Sequence, residues 1–482
     1  MDQSLPSTGL TAPGRWHRST WPGTGAVLLA EAGAAVAGLG TAALGGPHWA
    51  AATAALVVGG GALTRVRGTS GAEFVADRLA VRAAARVRVE AAPYPGGGDI
   101  GVRRSGDGLT TFVRIAASTP HLVALLRRDD PAVPLGLLAG LLRHADSPAS
   151  RIDVLLNGGR APGEPPNPRL RYRQLLGPVN RWAAIDMLLG VTIDPRECAA
   201  ACLRRGGGPS GEGRVAALAA QRVIDLLRAA GIDAAVVRPA EAAHLDTAPP
   251  SGAEHLDPEI LSHGGLGDLF REDAPGTVGV TLRAGTDRGV RLGAWLTGAE
   301  SGDRRRRGDH EATGAVNALE SVHVPLSGAG QILGSDAAGG PVGVRLHGRG
   351  VRTVWAAVAD DPARQLVERA VATGARVLVV TGRPAMWEPL VSWVGSPRHL
   401  WISGWRYPDP VPLGPADYTV TVLDGTAIGL PPGSVEPAGT VWRIEQAGIS
   451  PVSEADVVLS QPMPGMLTVR TDGGAATLRL VA

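Results

Sequence analysis

The sequence predicts an α/β protein in which an N-terminal two-helix transmembrane hairpin is followed by a cytoplasmic layered α/β body with a β-rich C-terminal tail. Three observations lead to this prediction: two apolar stretches near the N-terminus, alternating strand and helix patterns through the middle, and short β patterns separated by Gly and Pro turns at the end. The chain has 482 residues, enough for roughly two or three structural units with a sizeable core.

These patterns divide the chain into five predicted parts. They are a cytoplasmic N-terminal segment (1–22), the two-span transmembrane hairpin (23–65), a basic juxtamembrane connector (66–98), a cytoplasmic α/β domain (99–405) and a β-rich C-terminal subdomain (406–482).

Composition excludes several functional classes. Lys and Arg together number 47 against 45 Asp and Glu, so the net charge of +2 gives no reason to expect a nucleic-acid partner. The sequence contains no Lys, which excludes a P-loop lysine, a Schiff-base lysine and a Ser/Lys dyad. Two cysteines are too few for a disulfide framework.

The predicted hairpin consists of residues 25–46 and 50–64, which are dominated by Ala, Gly, Val and Leu. A membrane helix needs about 20 apolar residues, so the first stretch is long enough and the second is slightly short. Trp16, Trp21 and Trp49 lie beside the ends of these stretches, where aromatic rings favour the membrane interface.

Arginine flanks predict the orientation of the hairpin. Arg15 and Arg18 precede it, and the connection between the stretches has no Arg. The arginines that follow it are Arg65, Arg67, Arg78, Arg82, Arg86 and Arg88. The positive-inside rule therefore places the N-terminus and the C-terminal body in the cytoplasm of a protein that spans the cell membrane twice. A cleaved signal peptide is the alternative, but it does not account for the second apolar stretch.

Small residues recur every four positions in both stretches and predict a smooth contact between the helices. They include Ala30, Ala34, Gly38 and Ala42 in the first stretch and Ala51, Ala55 and Gly59 in the second. Such stripes also arise by chance in an Ala-rich chain. Glu31 either faces a partner or water, or lies at headgroup level. The residues predicted to act in membrane contact and helix packing are Trp21, Glu31, Ala34, Gly38, Trp49, Ala55 and Gly59.

The body alternates strands and helices. A basic helical pattern at 74–89 leads from the hairpin, and residues 99–104 and 109–116 form a predicted β-hairpin around SGDG. Further strands are predicted at 152–156, 183–193, 234–237, 351–358, 376–381 and 400–403, and helices at 214–230 and 363–373. Loops are predicted at 159–168, 206–213 and 301–312, where Gly, Pro or charged residues dominate.

Two strand-to-helix junctions have the same pattern. TIDP (192–195) and ADDP (359–362) each place Asp before Pro, which predicts an Asp cap followed by Pro at the first helical position. Gly231 and Gly374 follow the two predicted helices, as left-handed C-terminal caps do.

No motif with catalytic, cofactor-binding or metal-binding chemistry is identified. The Gly-rich segment 206–214 has no Lys, and the glycines of SGAGQILG (327–334) do not have dinucleotide-binding spacing, so a strand and turn are expected there. Cys198 and Cys202 lack further zinc ligands and are predicted to be core residues. The histidines of residues 244–263 are predicted to lie in a surface loop.

Three segments, in this order and spacing, resemble the EccE family of membrane components of ESX, or type VII, secretion systems. The first is GGDIGVRRSGDGLTTFVRI (97–115), and the second is TIDP followed by AALAAQRVIDLLRAAGIDAAVV (216–237). The third is HVPLSGAGQILG (323–334) followed by VWAAVADDPARQLVERAVATGARVLVV (354–380).

This resemblance implies a non-catalytic subunit of a protein secretion machine that assembles with EccB-, EccC- and EccD-like membrane proteins in the lipid bilayer. In that assembly EccC supplies the ATPase activity, which agrees with the absence of a P-loop lysine here. The resemblance transfers no catalytic residue and no cofactor. The alternative is a membrane-anchored α/β transferase with a nucleotide-linked donor, for which Asp360 and Asp361 after a strand are the candidate ligands.

Overall fold

We describe the protein from a computed structural model. The described residues are 17–18, 24–45, 47–63, 65–66, 69–70, 88–106, 108–115, 120–125, 132–143, 148–177, 179, 181–249, 253–256, 276–285, 289–297, 312–314, 316–320, 322–326, 328–404, 417–425, 439–449 and 454–481. The predicted basic helix (74–89) lies almost entirely outside them, as does the charged loop at 301–312.

The helices are α1 (Thr24–Ala43), α2 (His48–Leu63), α3 (Leu135–Ala139), α4 (Pro166–Leu176), α5 (Ala199–Arg204), α6 (Gly208–Ala229), α7 (Pro239–Ala242), α8 (Asp360–Ala372) and α9 (Pro384–Val394). The first strands are β1 (His17–Arg18), β2 (Arg65–Val66), β3 (Thr69–Ser70), β4 (Arg88–Pro93), β5 (Asp99–Ser105), β6 (Gly108–Ile115), β7 (Leu122–Ala124), β8 (Ala132–Pro134), β9 (Arg151–Gly159), β10 (Ala184–Ile193), β11 (Ala234–Val236), β12 (Glu254–Leu256) and β13 (Gly276–Ala284). The remaining strands are β14 (Val290–Thr297), β15 (Ala312–Gly314), β16 (His323–Pro325), β17 (Gln331–Ser335), β18 (Pro341–Val344), β19 (Thr353–Ala357), β20 (Val377–Thr381), β21 (Leu400–Gly404), β22 (Val420–Asp424), β23 (Thr440–Glu445), β24 (Val457–Ser460), β25 (Met466–Thr471) and β26 (Gly474–Leu480).

The first sheet is antiparallel and has the order β1-β15-β14-β13-β9-β10-β6-β5-β4, with β11 pairing β6 and β12 pairing β14. Its central strand β9 alternates sides as a strand of period two should: Ile152, Val154 and Leu156 join the core beneath α6, while Asp153 and Leu155 face the other side. Helix α6 contributes an apolar stripe that includes Val215, Val223 and Leu227, and α3 and α5 add further residues to the core on this face of the sheet.

The second sheet is mixed and has the order β21-β20-β22-β23-β19-β24-β25-β26-β17-β18-β7. The strands that run parallel are, in sheet order, β21, β20, β22, β23, β19 and β24. The remaining pairs are antiparallel. Helices α8 and α9 are the connections after β19 and β20, as parallel strands require. The C-terminal β patterns therefore lie in the same sheet as β19, β20 and β21, and the predicted boundary at 406 is not a break in strand pairing.

The segment between β9 and β10 of the first sheet forms hydrogen bonds with the start of β17 in the second sheet. The amide N–H groups of Ala329 and Gly330 donate to the carbonyl oxygens of Trp182 and Ala183, each at 2.9 Å. The buried Tyr172 on α4 accepts the Ile332 N–H at 3.0 Å. At Gly330, with φ of +71°, an added Cβ would lie 2.1 Å from the Val344 backbone, so only Gly allows this crossing. The two sheets are therefore joined by hydrogen bonds as well as by apolar contact.

The mixed α/β class, the β-hairpin of β5 and β6, and the strand in SGAGQILG agree with the sequence predictions. Gly231 and Gly374 have φ of +75° and +99°, as predicted for helix ends. The loop predicted at 206–213 is wrong, because α6 begins at Gly208. An added Cβ on Gly211 would lie 2.4 Å from the Cys202 carbonyl oxygen, so the glycine there permits close packing on α5 instead of marking a linker.

The predicted Asp caps are wrong at both junctions, because the N-cap of α5 is Cys198 and no side chain caps that helix. Asp194 Oδ1 accepts the Arg196 N–H at 2.8 Å and forms a turn before α5. At ADDP the N-cap is Ala359, no side chain caps α8, and Asp360 is already helical. Asp360 instead forms an ion pair with Arg383 at 3.0 Å.

Candidate functional site

The helical hairpin packs through small residues. Gly38 on α1 faces α2, where an added Cβ would lie 3.5 Å from both Ala55 Cβ and the Ala51 carbonyl oxygen. At Gly33 an added Cβ would lie 3.2 Å from Val58 Cγ1. The two helix backbones therefore approach closely along this line, as small-residue interfaces allow.

The outer surface of this hairpin is apolar. Large side chains that would be buried in a soluble helix pair are exposed: Val36, Leu39, Leu44, Trp49, Leu56 and Val57, at 63% to 89% of their surface. The hydroxyl groups are satisfied inside the helices, because Thr41 Oγ1 donates to the Ala37 carbonyl and Thr53 Oγ1 to the Trp49 carbonyl. Such a surface requires an apolar environment or a partner.

By length and apolarity, no helix in the described part of the chain qualifies as a membrane crossing. The two predicted stretches are nevertheless helical, as α1 and α2. Of the residues predicted for membrane contact and packing, Ala34, Gly38 and Ala55 are half-buried or lie at the helix contact, Glu31 and Trp49 are exposed, and Gly59 lies in α2. Trp21 lies outside the described residues.

A second feature covers the face of the first sheet opposite α6. Residues 237–249, which we call the strap, cross this face and are held by charged side chains: Arg103 donates to Asp246 at 2.9 Å and to the Leu245 carbonyl oxygen, and Arg114 contacts Glu241. Gly101 makes this possible, because an added Cβ there would lie 2.4 Å from Ala242 Cβ.

Beneath the strap lies a buried carboxylate. Asp153 accepts hydrogen bonds from Thr281 Oγ1 at 2.8 Å, Thr247 Oγ1 at 2.9 Å and Arg151 Nε at 2.8 Å. Burial raises the pKa of this carboxyl group, and the nearby Arg151 only partly opposes the effect. Asp153 thus ties the strap to the centre of the sheet through Thr247.

A third polar cluster lies at the carboxyl edge of the parallel strands, where α/β proteins often bind ligands. Asp424, fully buried at the end of β22, accepts from Thr381 Oγ1 at 2.6 Å, Arg383 Nη2 at 2.6 Å and Trp387 Nε1 at 2.9 Å. Arg383 also binds Asp360, and its hydrogen bond to Asp424 raises the pKa of the guanidinium group. Asp361 pairs with Arg364 on α8. Both candidate nucleotide ligands of the transferase alternative are therefore engaged in internal ion pairs.

The strap and α6 belong to the part of the chain that matches a known family. Residues 183–265 match the model of the EccE family. The family description is "Putative type VII ESX secretion system translocon, EccE". No curated protein sequence matches the chain.

The EccE match therefore begins at β10, in the middle of the first sheet, and includes α5, α6, β11, the strap and β12. It contains both covers of that sheet, the helix on one face and the strap on the other. The resemblance inferred from the sequence is confirmed over these residues, which are similar to the EccE family.

Within the EccE segment Cys198 and Cys202 are buried free thiols, in agreement with the prediction that they are core residues. Across the described residues, no group of three His, Cys, Asp or Glu side chains is placed to hold a metal ion. His244 lies exposed at the end of α7, His255 lies in β12, and His263 is outside the described residues.

Sequence reasoning missed Asp153, Asp424 and the strap. Both aspartates sit in strands whose neighbours are apolar, DVLL and VLDG, and an isolated Asp in such a run is the signal that could have identified them. Apart from Arg151, their partners are 37 to 128 residues away in sequence, so those contacts had no local signature.

Proposed function

We propose that this protein is a non-catalytic membrane subunit of a type VII (ESX) secretion machine, and that it assembles with EccB-, EccC- and EccD-like proteins. The observation that carries this proposal is the EccE family match over residues 183–265. The helical hairpin supports it, because its exposed apolar surface is suited to lipid or to the helices of a membrane partner.

The proposed placement has α1 and α2 crossing the cell membrane as a pair, with the N-terminus and the two sheets in the cytoplasm. At 1.5 Å per residue, the 20 residues of α1 extend about 30 Å and the 16 residues of α2 about 24 Å. The second helix is short for a typical bilayer, and local thinning or flanking aromatic residues such as Trp49 would accommodate the difference. The Arg-rich flanks on both sides of the hairpin support this orientation.

The proposed absence of a catalytic role is supported by the ion pairs and the burial of the acidic side chains in the polar clusters. Asp360, Asp361 and Asp424 each have an arginine partner within the protein, and Asp153 is covered by the strap. Ligands that are already paired in this way are poor candidates for a substrate or metal site.

Co-purification tests the assembly. The chain is expressed with EccB-, EccC- and EccD-like partners, extracted in a mild detergent and isolated through a tag on this chain. We expect the EccC-like and EccD-like proteins to be recovered with it. Repeated recovery of the chain alone, with the partners present in the extract, would contradict the proposal.

Topology is tested separately. A tag placed after Ala482 should resist external protease in intact cells and be digested once the membrane is opened. Digestion in intact cells would reverse the proposed orientation without bearing on assembly.

A further inference from the structure

A groove runs along α8 between α4 and α9. It is separate from the hairpin, the strap and the Asp424 cluster. It consists of two adjoining cavities of about 450 Å³ and about 270 Å³, which share Arg171, Gln365 and Glu368 as lining residues. Helix α8 contributes a single stripe to its floor: Asp361, Arg364, Gln365, Glu368 and Arg369. This spacing of three and four residues places them on one face of the helix.

The larger cavity has an unusual charge on its wall. Arg369 is 6% exposed, yet its guanidinium donates only to neutral groups in the described part of the chain. Nη1 donates to the Ile332 carbonyl at 2.9 Å, and Nη2 donates to Gln365 Oε1 at 3.3 Å and to the Val481 carbonyl. Glu368 acts on Arg369 through its charge but accepts no hydrogen bond from it, and the low-dielectric surroundings screen the remaining positive field of this buried cation weakly.

The mouth of the same cavity carries free donors. Arg171, whose side chain is 54% exposed, gives one hydrogen bond among the described residues, from Nη1 to Glu368 Oε2 at 3.1 Å. Its Nε and Nη2 groups therefore retain their hydrogens for another acceptor. Gln174, one turn along α4, makes no side-chain hydrogen bond to any described residue and lines the same cavity.

Among the described residues that line this cavity, the one carboxylate side chain is already neutralised. Glu368 accepts from Arg171 on Oε2 and from Trp393 Nε1 on Oε1 at 3.1 Å, so both of its oxygens have a donor. The balance of formal charges at the cavity is two arginines against one glutamate. Pro168 and Leu175 provide apolar wall on the α4 side.

We propose that this cavity binds a small oxyanion, a carboxylate or a phosphate, held directly by Arg171 and Gln174 and attracted by the charge of Arg369. The hydrogen bond from Arg369 Nη2 to Gln365 Oε1 is long, at 3.3 Å, and the oxyanion replaces Gln365 there when it enters. The bound anion connects α4, which belongs to the first sheet's connections, to α8 of the second sheet. The site is independent of the proposed role in secretion.

The test uses the full chain in a non-ionic detergent at low salt, with citrate and inorganic phosphate as separate probes in isothermal titration calorimetry. We expect at least one of them to bind, and the comparison identifies which oxyanion chemistry the cavity prefers. Arg171→Gln should weaken the affinity by about tenfold or more, because it removes a charge-assisted contact from an exposed side chain. Glu368→Gln should strengthen binding, because it removes the negative charge and releases Arg171.

The matched control is Arg173→Gln, which removes an equal charge from the same helix at a position that lines neither cavity. Its affinity should stay within about twofold of the parent. The proposal fails if neither probe binds up to the millimolar range. It also fails if Arg173→Gln weakens binding as much as Arg171→Gln, since the attraction would then be that of a general positive surface. Circular dichroism of each variant confirms that the fold is retained.

Discussion

The helical hairpin and the two sheets place their large apolar side chains in opposite ways. In the sheets and the helices packed on them, residues such as Leu156, Trp387 and Trp442 are buried, and charged groups inside such as Asp424 have hydrogen-bond partners. In the hairpin, Gly38 and Ala55 lie inside while Leu39 and Leu56 point outward. The difference shows that the sheets supply their own apolar environment, whereas the hairpin needs one from outside.

The largest predicted effect tests the sheets. Asp424→Ala should lower the free energy of unfolding by about 3–5 kcal/mol, because it leaves Arg383, Trp387 Nε1 and Thr381 without their shared acceptor. Chemical denaturation followed by tryptophan fluorescence measures it. Asp361→Ala is the control: this carboxylate is 78% exposed in its pair with Arg364, so its loss should cost less than about 1 kcal/mol. Equal effects would show that Asp424 is not a structural anchor.

The second prediction tests the hairpin. Gly38→Leu should separate α1 from α2 and destabilise their contact by about 1–3 kcal/mol, because the new side chain meets Ala55 and the Ala51 carbonyl. Gly40→Leu is a matched control two residues away, where an added Cβ meets nothing within 4 Å. Disulfide trapping between cysteines introduced in α1 and α2 reports the contact. Efficient trapping in both variants would contradict the packing described here.

The third prediction concerns acid sensitivity. Burial, with a contribution from Arg345, lowers the pKa of His347 from 6.5 to about 4. As the pH falls through this range, the unfolded chain binds a proton that the folded state does not, so stability present above 6.5 is lost on the way to about 4. The residue as a whole is half-buried, so the loss should be about 2 kcal/mol.

His347→Gln should remove this part of the pH dependence while preserving a hydrogen bond to Thr373, which His347 contacts at 2.9 Å. Thermal unfolding at about pH 7 and about pH 5 measures the difference. His244→Gln, at an exposed position, should leave the acid sensitivity unchanged. A parent-like pH profile in His347→Gln would assign the sensitivity to other groups.

The smallest predicted effect concerns Asp153, where the sign is opposite. A carboxyl group with a raised pKa favours folding when protonated, so its contribution is present below the unfolded pKa and is lost as the pH rises through the folded pKa. Asp153→Asn should therefore be stabilising at neutral pH, by up to about 1 kcal/mol, with its hydroxyl partners still satisfied. Denaturation at neutral pH measures it. Strong destabilisation would mean that the charge, through Arg151, is needed to hold the sheet.

Local patterns predicted much of this structure. The SGDG turn between β5 and β6, the strand predicted at 152–156 and the left-handed glycines after α6 and α8 all depend on residues within a few positions of one another. The helical nature of α1 and α2 was equally evident from composition.

Strand order was beyond these patterns, because pairing depends on contacts between distant segments. The sequence around β7 does not indicate that this strand joins the second sheet, and VLDG looks like a strand followed by a turn instead of a buried anchor. The glycines of residues 206–213 were misleading for a related reason. The sequence does not distinguish a glycine that allows close helix packing from a glycine that allows a loop conformation.

Strand β7 has a consequence for how the protein is made. It pairs with β18, roughly 200 residues later in the chain, and forms one edge of the second sheet. During translation β7 is synthesised long before β18, so its backbone stays unpaired while the first sheet folds. Fragments that start after residue 125 would lack this edge and expose β18, a ready template for aggregation. Any shortened version of the protein for biochemical work should therefore retain residues 120–125.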